Sequence, residues 1–277
     1  WKKAMGIGET YLIPERVKET PEVLHIFADE DHVHLQNGKS AILPLVTVCG
    51  GKKAVCEGRN ELVDPVHIGG YGLKPEEHWS YVYAVCAAKY DMGKVRKVII
   101  YSDAAKWIKE SRWFFPNPVY VLDDYHYRKH LKTLLAGDIC SRYTLPVYSA
   151  IRQNRKNSFQ VLMEEIEEAV LTGMPECRER EKKLERVREE GGFLLAHWDA
   201  VQNREDPDSI GSCSEALVSH VYSERFSRNP MGWSKAGLEK MTMIRVFIKN
   251  GGRVIPLDIG LDKRTHEERS ASRGRIE

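Results

Sequence analysis

Asp29 and Asp103 are the residues of this chain best placed to do chemistry. Each follows a short apolar run of β-forming residues, 23–28 and 95–101. If those runs are parallel neighbours in one sheet, the two carboxylates project side by side at adjacent strand ends, where paired hard oxygens hold divalent ions such as Mg²⁺. Two ions about 4 Å apart activate a water or a 3′-hydroxyl and stabilise the leaving oxygen of a phosphodiester. A third carboxylate, brought in by a helix, would complete such a site. Each aspartate also has an ordinary reading as a turn or helix cap, and spacing alone does not decide between the two.

Basic residues interleaved with aromatics lie close to these acids. Lys106, Trp107 and Lys109 follow Asp103, and Arg128, Lys129 and Lys132 follow Asp123. With Trp113, Tyr125 and Tyr127 beside them, these clusters suit DNA phosphates and splayed bases, although each aromatic can equally be a packing residue. Arg225, Arg228, Trp233 and Lys235 form a third patch. The histidines offer less: His32 and His34 share a strand face with each other and not with His25, as on an exposed strand. Gly50-Gly51-Lys52-Lys53 lacks the spacing of a phosphate-binding loop and reads as a hairpin turn.

The elements that must position these residues form an antiparallel meander, then alternating helix and strand, then helices. The meander comprises 23–28, an alternating run 32–35 before Asn37-Gly38, a β-rich stretch 41–49 closed by Gly50-Gly51, and a strand across 52–63. Pro75-Glu76-Glu77 opens a helix whose apolar residues Trp79, Val82, Tyr83, Cys86 and Ala87 keep helical spacing until a stop near Gly93. Strands at 95–101 and 119–122 lead to Asp103 and Asp123 and are short apolar runs bounded by turn residues, as buried parallel strands tend to be. Helices are then expected at 125–136, 158–172, 176–190, 212–223 and 234–248. The third alternates in sign, with Glu179 four residues before Lys183, and reads as a solvated, salt-bridged surface. The segment from 262 onward is polar, basic and expected to be disordered.

The 277 residues carry 42 Lys+Arg against 40 Asp+Glu, a formal charge of +2, so nucleic acid would have to be met by local patches. The length suits one large or two small domains and excludes a disulfide-stapled mini-fold. Six cysteines without a CxxC pair argue against a zinc ribbon and fit reduced core thiols in the cytoplasm. The longest apolar stretch, 41–49, is interrupted by Pro44 and is far short of the roughly 20 residues of a membrane span. No secretory signal is evident.

Four ordered blocks carry a resemblance: IFADEDHVHLQ at 26–36, YSDAAKWI at 101–108, LDDYHYRK at 122–129, and IGSCSEALVSHVYSER at 210–225 with NPMGWS at 229–234. Together they resemble bacterial insertion-sequence transposases of the ISLre type, a Mutator-like branch of the DDE transposases, from about residue 23 to about 252. The resemblance implies an α/β fold of the RNase H-like kind, a mixed five-stranded sheet with flanking helices and an α-helical insertion before the last catalytic acid. It implies Asp29, Asp103 and Glu215 as catalytic, metal-holding acids for two Mg²⁺ or Mn²⁺ ions, with Asp31 the alternate to Asp29 because the Asp-Glu-Asp run permits either register. Glu215 also has the ordinary role of a first-turn acid on its helix, with Ser212 or Ser214 as N-cap. Asp123 and His126 are expected as substrate-positioning or capping residues. Lys106, Lys109, Arg128, Lys129, Lys132, Arg225, Arg228 and Lys235 are the expected DNA contacts.

The implied division is an N-terminal segment 1–22 of a truncated chain, a first core part 23–137, the insertion 138–208, the last core helices 209–252 and a basic tail 253–277. The implied activity is cleavage and strand transfer of double-stranded DNA by a homodimer or larger assembly, in the bacterial cytoplasm at the nucleoid and away from any membrane. A non-catalytic DNA-binding remnant and a structure-selective nuclease of the same fold are the alternatives. Two positions depart from the family pattern: Ala104-Ala105 stand where a glycine-rich turn is usual, and Ala216-Leu217 follow Glu215 where Gly-His is common.

Overall fold

The structure, a computed structural model, describes residues 16–17, 19–229 and 231–253. The expected N-terminal segment therefore lies largely outside the described residues, as does the basic tail from 254. A mixed five-stranded sheet in the order β5-β2-β1-β6-β7 forms its centre. β1 (Val23–His34) pairs antiparallel with β2 (Ser40–Cys49) and parallel with β6 (Lys97–Ser102). β2 pairs antiparallel with β5 (Val66–Gly69), and β6 pairs parallel with β7 (Val119–Leu122).

The expected strands 23–28 and 32–35 are one strand. β2 pairs along it from His25↔Cys49 to His34↔Ser40, so the ladder runs unbroken through Asp-Glu-Asp, and Asp29 sits mid-strand instead of at a strand end. What does end there is the parallel partner, since the last β1–β6 pair is Ala28↔Ser102. The expected strand 52–63 is a hairpin, β3 (Lys52–Cys56) and β4 (Arg59–Leu62), outside the main sheet and turned at Gly58 with φ 73°. The short edge strand β5 has too few residues to show a period and was not expected.

α1 (Pro75–Lys89) covers one sheet face, burying Trp79, Val82 and Cys86 against Ile26, Ala28, Val48, Ile68 and Ile100. The other face is covered by the C-terminal elements: Val33, Leu43 and Leu45 pack with Val218, Tyr222, Leu238 and Val246. α2 (Asp124–Leu134) follows β7 and leads into five helices, α3 (Asp138–Ser141), α4 (Thr144–Arg152), α5 (Lys156–Gly173), α6 (Arg178–Ala196) and α7 (Trp198–Gln202). Their core joins Leu131 and Leu134 of α2 to Phe159, Ile166, Val187, Leu194 and Trp198. α6 continues six residues past its expected end, through Gly191, which packs so closely on Met163 that a Cβ there would be 2.6 Å from its Sδ. Lys183 bonds to the carbonyl of Ala136 at 2.6 Å instead of pairing with Glu179.

The expected helix 212–223 is a composite of α8 (Ser214–Val218), a π-helical turn Ser219–Ser223 and α9 (Glu224–Phe226), after which α10 (Lys235–Lys249) closes the described chain. Neither Ser212 nor Ser214 caps α8, whose N-cap is Cys213. Among the described residues, no helix is long and apolar enough to cross a membrane. Cys49, Cys86 and Cys140 are buried thiols, whereas Cys56 is exposed.

Candidate metal centre

Asp29 is 7% exposed. Its Oδ1 accepts the Glu30 N–H at 2.8 Å. Burial, opposed by that hydrogen bond and reinforced by the charges of Asp103, Glu215 and Asp123, pushes its carboxyl up to about 7. An acid desolvated among like charges titrates high, so four carboxylates from β1, the end of β6, the end of β7 and α8 act on one spot.

Asp103 arrives by register. The ladder that pairs Ala28 with Ser102 leaves Asp103 as the next residue beside Asp29, and its Oδ1 accepts the Ala105 N–H at 2.9 Å in a tight turn. That turn holds Ala104 at φ 67°, a left-handed conformation costing an L-residue roughly 1–2 kcal/mol, at the place where the resembled family carries glycine.

Asp123 does structural work and is 3% exposed. Its Oδ1 caps α2 by accepting the N–H groups of Tyr125 (2.8 Å) and His126 (3.4 Å), while Oδ2 accepts the hydroxyl of Ser212. One carboxylate thus fixes the start of α2, which carries His126, to the loop that leads into Glu215.

Among the described residues, Asp29, His126 and Glu215 form a group able to hold a metal: one ligand atom from each lies within 4.8 Å of the others. Ligands about an ion at 2.1 Å span at most roughly 4.2 Å, so closure asks for movement of under 1 Å by the exposed Glu215 and the half-buried His126. Two carboxylates and an imidazole are a hard, mainly oxygen donor set that suits Mg²⁺ or Mn²⁺. Of the acids expected from the sequence, Asp29 and Glu215 meet in this group, and Asp103 stands beside Asp29 outside it. His126, expected only in support, joins it. Asp31 is turned away: it is buried, accepts the Ser227 hydroxyl at 3.0 Å, and burial raises its carboxyl. Glu30 was not singled out from the sequence; it accepts the Trp107 indole N–H at 2.7 Å on the other face of β1, a contact that no local spacing signals.

The expected DNA contacts separate by place. Arg128, Lys129 and Lys132 line a cavity of about 1180 Å³ that reaches Asp123 and Glu215. Lys109 lines a different cavity of about 480 Å³, against α7, and Lys106 is exposed at the start of the same 3₁₀ segment, Lys106–Trp113. Arg225 stacks over Trp233 at 4.9 Å, Arg228 bonds to Ser219 at 3.2 Å, and Lys235 opens α10. Of the flanking aromatics, Trp107 is packed against His78 and Trp79, and Tyr127 is buried beneath Arg204, 3.7 Å from the ring centre. Trp113 and Tyr125 remain exposed, at 70% and 53%.

Residues 13–259 match the family described as Uncharacterised protein family (UPF0236). A UPF0236 protein of Caldanaerobacter subterraneus subsp. tengcongensis is 35% identical over 260 residues, covering 93% of this chain and 54% of that protein. A second from the same organism, whose name joins eleven loci, is 34% identical over 260 residues, with 93% and 53% covered. The UPF0236 protein in the vanSb 3′ region of Streptococcus gallolyticus is 23% identical over 259 residues, covering 90% of this chain and 54% of its own. The chain spans about half the length of the curated relatives it matches.

Proposed function

The chain belongs to the UPF0236 family, and from its acidic site we propose that it is the RNase H-like catalytic domain of a DDE transposase. The convergence of Asp29 and Glu215, far apart in sequence, on one site with His126, with Asp103 one register step away, is the observation that carries this reading. A central first strand, an antiparallel second, parallel strands on the other side and an acid on a late helix suit the RNase H-like architecture. A relative named for eleven loci of one genome suits a sequence that copies itself about that genome.

In this reading Asp29, Glu215 and His126 would hold a divalent ion, and Asp103 beside Asp29 would help to hold a second. Such ions would supply Lewis-acid chemistry for activating a water or a 3′-hydroxyl and for stabilising the leaving oxygen of the phosphodiester. The protein's own work is positional. Asp123 fixes α2 and the loop before α8, so His126 and Glu215 face Asp29 without a large conformational cost. Burial keeps the Asp29 side of the site dry, which strengthens the field acting on an incoming phosphate. Joining two element ends calls for at least two copies on DNA, and such work belongs at the nucleoid.

The test supplies the purified chain with Mg²⁺ or Mn²⁺ and duplex DNA carrying the ends of its own element, and scores cleavage and strand joining separately. Asp29→Asn, Asp103→Asn and Glu215→Gln should each abolish both while circular dichroism stays native. Activity of Asp103→Asn equal to that of the parent sinks the proposal, and cutting of branched DNA without joining would make the chain a nuclease of the same fold.

A further inference from the structure

Arg186, on α6, was expected to belong to a solvated surface, yet it lines the 1180 Å³ cavity together with Arg128, Lys129 and Lys132 of α2 and with Glu215. We propose that this trough, lined by α2, by the segment 212–220 and by Arg186 of the helical insertion, holds the sugar–phosphate backbone of a single DNA strand leading to the acidic site. The proposal rests on the catalytic reading above and adds the path of the strand and the insertion's share in holding it.

Charge, size and spacing support it. The trough is larger than the roughly 300–1,000 Å³ of small-molecule sites, and four exposed cations from two elements face into it. Arg128 and Lys132 are four residues apart, about 6 Å along the helix axis, which fits one or two phosphate steps of a strand. Its cations are not spent on the neighbouring acids: among the described residues, no ion pair joins Arg128, Lys129, Lys132 or Arg186 to a carboxylate. Tyr125, also lining the trough, is 53% exposed and stands edge-on to His126 with ring centres 5.2 Å apart, so its open face is free to take a base by stacking. The trough thus joins cations that would grip phosphate to the carboxylates at which a phosphodiester would react.

Fluorescence anisotropy of a labelled single-stranded oligonucleotide, and of a duplex of the same sequence, tests this with the whole chain in EDTA, so that binding is read without metal or catalysis. Arg186→Glu and the pair Lys129→Glu/Lys132→Glu should each weaken single-strand binding by about tenfold or more, and each cation lost should flatten the log K against log salt slope by about 0.7. Tyr125→Ala should weaken it without changing the slope. Lys156→Glu, the same charge change on an exposed face of α5 away from the trough, sets the background. Equal affinity and slope in Arg186→Glu and Lys156→Glu would overturn the proposal, as would absence of single-strand binding by the parent chain or a loss confined to the duplex. Melting curves exclude unfolded variants, and Arg186→Gln supplies a milder change should the reversal fail to fold. Weakened binding by these variants together with undiminished cleavage by Asp29→Asn would uphold the trough and sink the catalytic reading.

Discussion

Asp29 shows how a residue can be legible in type and not in circumstance. Its place after an apolar run pointed to chemistry, but its burial comes from a strand that continues beyond it, and the charges that push its carboxyl up further come from three other acids that the chain delivers from remote positions. A buried carboxylate among like charges is costly without a counter-ion. Mn²⁺ should therefore raise the melting temperature of the parent chain in proportion to log concentration above its dissociation constant. Asp29→Asn should melt no lower than the parent without metal and show no such rise; a metal-induced rise that survives the substitution would remove Asp29 from the centre. Asp123 bears on the same site from behind. Asp123→Ala loses an N-cap worth about 0.5–2 kcal/mol together with the Ser212 link, so urea unfolding should show a loss of about 1–3 kcal/mol and calorimetry weaker Mn²⁺ binding. Unchanged stability would mean the cap and link carry little. The sequence left Asp123 and His126 between capping and positioning; the fold assigns the cap to Asp123 and brings the imidazole of His126 to the acids.

At the scale of elements, the composite helix that carries Glu215 depends on its packing behind the site. Tyr222, in the π-helical turn, lies over Gly69 of β5, where an added Cβ would come within 1.9 Å of the phenol oxygen and 3.0 Å of the Pro44 carbonyl. The tyrosine would have to move, and overpacking of this kind costs about 1–3 kcal/mol. Gly69→Ala is thus expected to lower the unfolding free energy by that amount and to weaken Mn²⁺ binding through displacement of α8; a variant as stable as the parent would show that the turn yields freely. The sequence marked a helix across 212–223 by its apolar spacing, but neither the π turn nor the use of Ser212 by Asp123 in place of capping follows from that spacing. Both arise from contacts with β5 and β7. The merging of two expected strands into β1 has the same origin, since β2 supplies a pairing partner for every residue from His25 to His34.

For the molecule as a whole, three buried histidines tie stability to pH. His25, His67 and His78 are 4%, 8% and 1% exposed. Burial lowers each of them from 6.5 to about 4, with the Lys249 charge acting further on His67. Their neutral rings are used: His25 meets the Tyr101 hydroxyl at 3.2 Å, His67 meets that of Thr47 at 2.8 Å, and His78 donates from Nε2 to the Ile68 carbonyl at 3.2 Å. Between pH 6.5 and 4 the unfolded chain binds protons that the folded chain refuses, so the contribution is present above pH 6.5 and is lost as pH falls toward 4. Each histidine accounts for up to about 3 kcal/mol. Urea midpoints taken from pH 7.5 to 4.5 should fall below 6.5, the three histidines together outweighing the opposite titration of the raised Asp29 carboxyl, and His78→Gln should flatten the fall; a profile level to pH 5 would contradict this assignment.

What the sequence determined by itself was local: the apolar runs that became β6, β7 and α1, the helical character of the chain beyond 124, and the acids and basic clusters as residue types. Periodicity and turn residues carry such information because they depend on neighbours within a few positions. Tertiary structure alone decided that Asp29 lies inside a strand, that Asp31 is held by Ser227, that His126 joins Asp29 and Glu215, and that Arg186 lines one trough with Arg128. Each of those outcomes is a meeting between segments tens to nearly two hundred residues apart, fixed by sheet register and by the packing of the insertion on α2, and neither is written in the spacing of any one segment.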